Sequence, residues 1–368
     1  MTKSSSPARD KHPVSKLWDF ADDRLGLAGL VDLARHKTVP QHSHSFWYYL
    51  GGISLFFFVV QIVTGVLLLV YFRPGPEAYD SVRRITYDIE FGWLIRSAHS
   101  WSANLMVLAV FTHMFSAFFM KAYRKPREFG WWSGLALLGL TMVFGFSGYL
   151  LPMDELSFFA TKVGLEIPAS IPVIGQPIAS LIRGGPMVDD HTIQRFFTLH
   201  AVLLPMLFVP VLTLHLYLVQ RHGNAVPPSE ESKPLAKRRS MPFFPDFMLK
   251  DLAMWLIMLN LLGFLVCIYP WDLGPQANPV AAAPEGIHPE WYFMSQFQLL
   301  KVLGNWFPGI TGEIAGILLF TLGGIVWALV PLLDRSEQNV AAARAGTWIG
   351  IVALAGLVVL TLWGYQAL

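Results

Sequence analysis

The chain has 368 residues, 54% of them hydrophobic and only 14% charged, where soluble domains carry about 25% charge. That balance excludes an ordinary soluble enzyme and specifies a polytopic membrane protein. The net charge of +2 is dispersed and offers no basic patch for nucleic acid, and the single cysteine, Cys267, excludes a disulfide framework or a cysteine-ligated cluster.

Residues 1–45 are polar and mixed in charge, and they predict a cytoplasmic N-terminal segment with a surface helix around Trp18 to Arg35. No short apolar core with a cleavage site follows the first residues, so no signal peptide is expected. Seven apolar spans follow, at 46–72, 94–120, 131–152, 195–220, 251–270, 314–333 and 347–366. Each approaches the length of about 20 residues that crosses a bilayer. The polar stretch 221–250, which contains Lys237, Arg238 and Arg239, divides a four-helix module (46–220) from a three-helix module (251–368). The expected class is all-α. The N-terminal segment, the loop carrying Lys121, Arg124, Lys125 and Arg127, the 221–250 stretch and the loop between the last two spans hold most of the 27 Lys and Arg residues. The excess of positive charge in cytoplasmic loops places the N-terminus inside and the C-terminus outside.

Two spans carry paired histidines. His99 and His113 are 14 residues apart in the second span, and His200 and His215 are 15 apart in the fourth. At about 100° and 1.5 Å per residue, each pair falls near one helix face with its members about 21 Å apart along the axis. Pro205 and Pro210 lie between the second pair and are expected to bend or rewind the helix, absorbing the extra residue. A lone intramembrane histidine can simply bond a neighbouring helix. Four in two matched pairs point instead to two flat iron cofactors stacked across the membrane, each gripped by one neutral imidazole from either side. The glycines share the period: Gly51 and Gly65 are 14 apart in the first span, and Gly134 and Gly148 are 14 apart in the third. Small residues let a helix backbone or a bulky ring approach closely.

Two connecting segments on the outer side are more than loops. Residues 153–194 include the Pro-rich IPASIPVIGQPIASLIRGG, too short for two spans, and predict short helices lying on the membrane surface. Residues 271–312 include HPEWYF, with Glu290 beside Trp291 and Tyr292. The two aromatics suit a membrane interface, and Glu290 either faces water or accepts protons in a greasy pocket that tunes its pKa.

Together the paired histidines, the glycine pairs, GYLLP (148–152), IPVIG (171–175) and PEWY (289–292) resemble cytochrome b of the cytochrome bc1 and b6f complexes, nearly end to end. The 15-residue histidine spacing and the KPREFGWWSG stretch lean toward the b6f branch. The first four spans resemble cytochrome b6, and residues from about 240 onward resemble subunit IV, without the eighth helix of full-length cytochrome b. The resemblance implies two non-covalent b haems, a low-potential outer one held by His99 and His200 and a high-potential inner one held by His113 and His215. Arg96 matches the arginine that neutralises a haem propionate. Glu290 matches the proton acceptor of the outer quinol site, with Tyr149 and Tyr292 lining it. Where the b6f branch attaches a third haem through cysteine, this chain has Tyr49, so no covalent c-type haem is expected. Arg221, His222 and Asp23 are the candidates for an inner quinone site. The implied partners are a Rieske iron–sulfur protein, a c-type cytochrome, quinone and a second copy of the complex, in a prokaryotic cytoplasmic membrane. A dihaem conduit anchoring another respiratory enzyme would share the histidines but not the PEWY loop. A transporter with a histidine relay is a more distant alternative.

Overall fold

The structure is a computed structural model describing residues 13–307, 310–334 and 340–367. Residues 1–12, which bear the expectation about the N-terminus, and Arg335 of the last loop lie outside the described residues. In chain order the elements are α1 (Pro13–Leu25), α2 (Leu27–His36), β1 (Thr38–Gln41), α3 (Tyr49–Leu69), α4 (Ala78–Tyr87), α5 (Gly92–Phe119), α6 (Glu128–Tyr149), α7 (Glu155–Ala169), α8 (Gly175–Arg183), α9 (Asp190–Thr198), α10 (Leu204–His222), α11 (Pro228–Glu231), β2 (Arg239–Pro242), α12 (Met248–Ile268), α13 (Trp291–Trp306), α14 (Ile310–Leu333) and α15 (Val340–Gln366). Seven helices are long and apolar enough to cross a membrane: Ser45–Leu69, Gly92–Phe119, Glu128–Tyr149, Asp190–His222, Phe243–Ile268, Gly312–Leu333 and Arg344–Gln366. The chain is an all-helical, multi-pass membrane protein, as its composition requires. The expected surface helix near Trp18 is two helices, α1 and α2, broken at Gly26 with φ of +63°.

The fourth crossing runs as one helix from Asp190 to His222, longer than the 195–220 read from its apolar run. Its start is a capping box, in which the Asp189 carboxylate accepts from the Thr192 backbone N–H while the Thr192 hydroxyl oxygen accepts from the Asp189 backbone N–H. Between α9 and α10 the helix widens into a π turn, Leu199–Leu203, immediately before Pro205. Proline has no N–H to offer the carbonyl four residues back and its ring crowds that carbonyl, which a π turn relieves. A π turn takes about one residue more than an α turn, so 15 residues containing one turn the helix about as far as 14 without it. The predicted absorption of the extra residue therefore occurs just ahead of Pro205, at His200 itself, while Pro210 stays within regular helix.

Helix α3 packs on α5, and α6 packs on α10, with α5 against α6. Their shared core holds Leu50, Ile53, Phe57, Met106, Leu137 and Phe208. The second module docks on this bundle: α12 lies on α3 and α5, α14 on α6, α15 on α5, and α13 between α14 and α15. Residues 221–250 are tied back to the N-terminal segment by an antiparallel pair, with Thr38 opposite Pro242 and Gln41 opposite Arg239. Past α12, residues 271–277 strap across the opposite end of the bundle. There Tyr79 donates to the Gly274 carbonyl (2.9 Å), the Glu155 N–H donates to Pro275 (2.8 Å), and Trp271 N–H donates to Ser97 (2.9 Å). The Pro-rich segment forms α7 and α8, the first capped by Asp154 accepting from the Ser157 N–H at 3.0 Å and the second ended by Gly184 at φ +91°.

Candidate functional site

His99 and His200 face each other from α5 and the π turn, with ring centroids 6.4 Å apart and planes crossed at 70°. One level along the bundle His113 of α5 lies within electrostatic reach of His215 of α10. Each imidazole rests on one of the four predicted glycines. A Cβ built on Gly65 would stand 3.4 Å from His99 Cε1, one on Gly51 3.3 Å from His113, one on Gly134 3.2 Å from His215 and one on Gly148 2.7 Å from His200. The glycine period matches the histidine period because each glycine lies under one ring.

Hydroxyls orient three of the rings. Thr64 Oγ1 lies 2.9 Å from His99 Nδ1, Ser133 Oγ 3.0 Å from His215 Nδ1, and Ser147 Oγ 3.1 Å from His200 Nδ1, which is also 3.2 Å from the Phe144 carbonyl. His113 Nδ1 is buried without a hydrogen-bond partner among the described residues. Nε2 of all four makes no hydrogen bond among the described residues, so the atom that would bind a metal is free while the other is occupied in three of the rings.

These residues fit a haem. Two imidazoles on opposite sides of an iron atom, each with a metal–nitrogen bond of about 2 Å, have centroids roughly 6 Å apart, against 6.4 Å for His99 and His200. Arg96 adds a second sign. It is buried, at 6% exposure, and its guanidinium donates to the carbonyls of Trp271 (2.6 Å) and Asp272 (3.2 Å). Among the described residues no carboxylate forms an ion pair with it; it is bonded to these carbonyls, with Asp154 and Asp272 acting on it from farther away. A buried charge of that kind favours an anionic group beside it.

At the His200 end, Glu290, Tyr149 and Tyr292 line one cavity of about 320 Å³. Its walls come from α6 (Met142, Phe146), α7 (Val163, Gly164) and the start of α13 (Phe293, Phe297), so it is almost wholly apolar. Burial pushes the Glu290 carboxyl above the usual carboxylate range; His288 opposes that and Asp154 adds to it. Tyr292, on α13, is likewise raised, first by burial and then by Glu290. The hydrogen bond from Trp291 Nε1 to Asn104 Oδ1 (2.7 Å) pins the PEWY segment to α5. Glu290 is partly buried on the wall of this apolar cavity.

Some placements differ from the sequence reading. Asp23 is exposed and pairs with Arg24 at 3.6 Å, and Arg221 donates to Tyr217 OH at 2.9 Å on the surface. Of the three, His222 is set inward, its Nδ1 buried without a partner among the described residues and its carbonyl accepting from Arg127. The residue the motifs did not single out at this level is Asp251, in the first turn of α12. Gly51 faces His113, and its neighbour Gly52 faces the Asp251 carboxylate, whose Oδ1 is buried with no hydrogen-bond partner among the described residues. The signal was present, since an acid at the start of an apolar span is expensive and is by default functional. Tyr365, at the end of α15, is the other addition: its ring meets His288 edge-on with centroids 5.3 Å apart.

Two family profiles match the chain: "Cytochrome b/b6/petB" over residues 35–223 and "Cytochrome b(C-terminal)/b6/petD" over 276–368. A "Cytochrome bc complex cytochrome b subunit" of Chlorobaculum thiosulfatiphilum is 50% identical over 357 residues, covering 97% of this chain and 82% of that protein. "Cytochrome b6" of Synechococcus sp. (strain JA-3-3Ab) is 41% identical over 58% of this chain and all of its own length. A solved chain of a "Hyperthermophilic respiratory Complex III" superposes with a TM-score of 0.82 at 27% identity, covering 94% of this chain and 91% of that one.

Proposed function

The chain belongs to the cytochrome b/b6 family and is a cytochrome b subunit of a bc-type complex, and from that premise we propose that it oxidises quinol in the cavity at Glu290 and conducts electrons between two histidine levels across the membrane. The family generally carries two b haems, which when bound supply one-electron carriers at two depths. His99 and His200 hold the outer, low-potential one, and His113 and His215 the inner, high-potential one. Thr64, Ser147 and Ser133 hold three of those rings through Nδ1, which would leave Nε2 free to bind the iron of a haem. Arg96 neutralises a propionate at the outer level. The loops rich in Lys and Arg face the cytoplasm, with the N-terminus inside and the C-terminus outside.

The quinol ring lies among the apolar walls of the cavity, near Tyr149 and Tyr292. Glu290 accepts a quinol proton as its electrons leave, one to a Rieske iron–sulfur partner and onward to a c-type cytochrome, the other inward across the membrane. Excluding water from the cavity keeps that proton from returning by another route. At the inner level, Asp251 is the carboxylate placed to protonate quinone, with His222 near that end. Proton release outside and uptake inside make the cycle electrogenic. The complex works as a homodimer in a prokaryotic cytoplasmic membrane.

The observation that carries this reading is the crossing of His99 and His200 at 6.4 Å over Gly65 and Gly148, beside the Glu290 cavity. A dihaem conduit would need the histidines but has no use for the cavity. A pyridine haemochrome assay on the purified complex is expected to give two b haems per chain, and His200→Ala or His113→Ala should each remove one. Either variant retaining two would refute the ligand assignment. Haem-stained denaturing gels should leave this chain unstained, since Tyr49 stands where a thioether would form.

A further inference from the structure

Glu290 lines an almost wholly apolar cavity and is itself partly buried, so a proton it takes from quinol leaves more readily through a second acceptor on the same wall. One titratable side chain lines the same cavity two residues earlier: His288. It is half-buried, and the segment leading to it, 278–286, is mostly exposed, so His288 stands between the cavity and the aqueous phase. Its Nδ1 lies 2.9 Å from the carbonyl oxygen of Pro289. A carbonyl only accepts, so in the neutral ring Nδ1 carries the hydrogen and Nε2 carries the lone pair. Nε2 makes no hydrogen bond to any described residue. The Tyr365 ring, 5.3 Å away and at 73°, braces the imidazole from α15.

Resting on the quinol-site reading above, we propose that His288 relays the Glu290 proton to the outer water, with Tyr365 as the residue that positions its ring. With one water bridging the two side chains, the Glu290 O–H bond breaks as its proton passes to the water and the water's proton forms an N–H bond at His288 Nε2, and the imidazolium then gives a proton to solvent, so the carboxylate, the water and the neutral ring are restored. The transient carboxylate–imidazolium pair is favourable, since His288 already draws the Glu290 carboxyl down against its burial. The groups facing this step from each packed element are Tyr149 on α6, Asp154 at the start of α7, Glu290 and Tyr292 at α13, and Tyr365 on α15.

The test uses the whole purified complex, reducing cytochrome c with a soluble quinol. His288→Ala should lower turnover about ten-fold or more at neutral pH, with haem content and quinol KM unchanged. Added imidazole should restore it in proportion to its neutral fraction, and should not restore Glu290→Gln. His288→Gln, which keeps a donor for the Pro289 carbonyl, gives the same loss where the alanine chain does not assemble. Wild-type turnover in either variant, or a slow His288→Ala enzyme with raised KM and no response to imidazole, would overturn the relay. Wild-type turnover in Glu290→Gln would instead bring down the quinol-site reading on which the relay stands.

Discussion

Glu290 illustrates how a motif acquires a role from its surroundings. In sequence it was a carboxylate between a proline and two aromatics, open to water or to a pocket. In the structure it lines an apolar cavity with Tyr149 and Tyr292, and burial raises its pKa. The sign follows directly. Below the raised pKa the carboxyl is already protonated and accepts nothing, so quinol oxidation should climb with pH through a value above the ordinary 4.3 or so. Glu290→Gln should lose that climb and at least about ten-fold of the rate, with both haems retained; steady-state turnover across pH measures it. The glycines make a second, graded prediction. A methyl on Gly148 would stand 2.7 Å from a His200 ring carbon, against 3.3 Å for Gly51 and His113. Gly148→Ala should therefore displace its histidine and deplete or shift the outer haem, while Gly51→Ala leaves the inner one nearly intact. Reduced-minus-oxidised spectra and redox titration separate the two. The four histidines and four glycines were readable from the sequence because their spacing is itself the helix geometry. Asp251 showed only the cost of an acid at the start of an apolar span, and His288 and Tyr365 showed nothing: their meaning comes from what the fold sets beside them, Gly52 against Asp251, the shared cavity around His288 and the His288 ring against Tyr365.

At the scale of elements, the seven crossings were legible because apolar length and composition decide them, and the ends slipped by a few residues where capping rather than hydropathy decides. The fourth crossing begins five residues early because Asp189 and Thr192 form a capping box that a hydropathy window does not register. Helix α13 was less legible. Its 16 residues, Trp291–Trp306, are too few to span, and it reads as an interfacial loop until α14 and α15 are seen to close over it. The π turn Leu199–Leu203 gives the element-scale prediction. If it offsets the fifteenth residue between His200 and His215, deleting Val202 should let the segment close as a regular α-helix with both imidazoles still facing their partners. Inserting an alanine after Val202 adds about 100° of rotation that the turn no longer absorbs. The deletion should keep two haems by haemochrome assay, and the insertion should keep only the inner one. Loss of the outer haem in both chains would mean that the π turn itself, and not its rotation, holds His200.

Across the whole molecule the two modules are held together at both ends and not merely through lipid. The strap 271–277 fastens one end, where Arg96, Ser97, Tyr79 and Asp154 all bond it. At the other end the loop after α5 meets Asp334, the first residue beyond α14. Tyr123 OH donates to Asp334 Oδ2 at 2.6 Å, Arg124 Nε lies 3.3 Å from the same oxygen, and Lys121 Nζ is 4.0 Å away. Lys121 is only 6% exposed and Asp334 12%, so these charges are shielded from solvent. Burial lowers the Lys121 pKa and Asp334 opposes that fall. A buried pair adds little over a well-packed apolar one, but removing a single partner strands the others. Asp334→Ala should therefore cost about 3 kcal/mol, whereas Asp334→Asn, which still accepts from Tyr123, should cost less. The aromatic cluster of Phe118, Tyr123 and Trp131 packs against Trp327 of α14 beside this site, and loosening it would free α14 before the haem bundle yields. Thermal unfolding in detergent, followed in parallel by tryptophan fluorescence and haem absorbance, should then show fluorescence changing first in Asp334→Ala and both signals together in the wild type. Coincident, unshifted transitions in the variant would mean that the strap alone joins the modules.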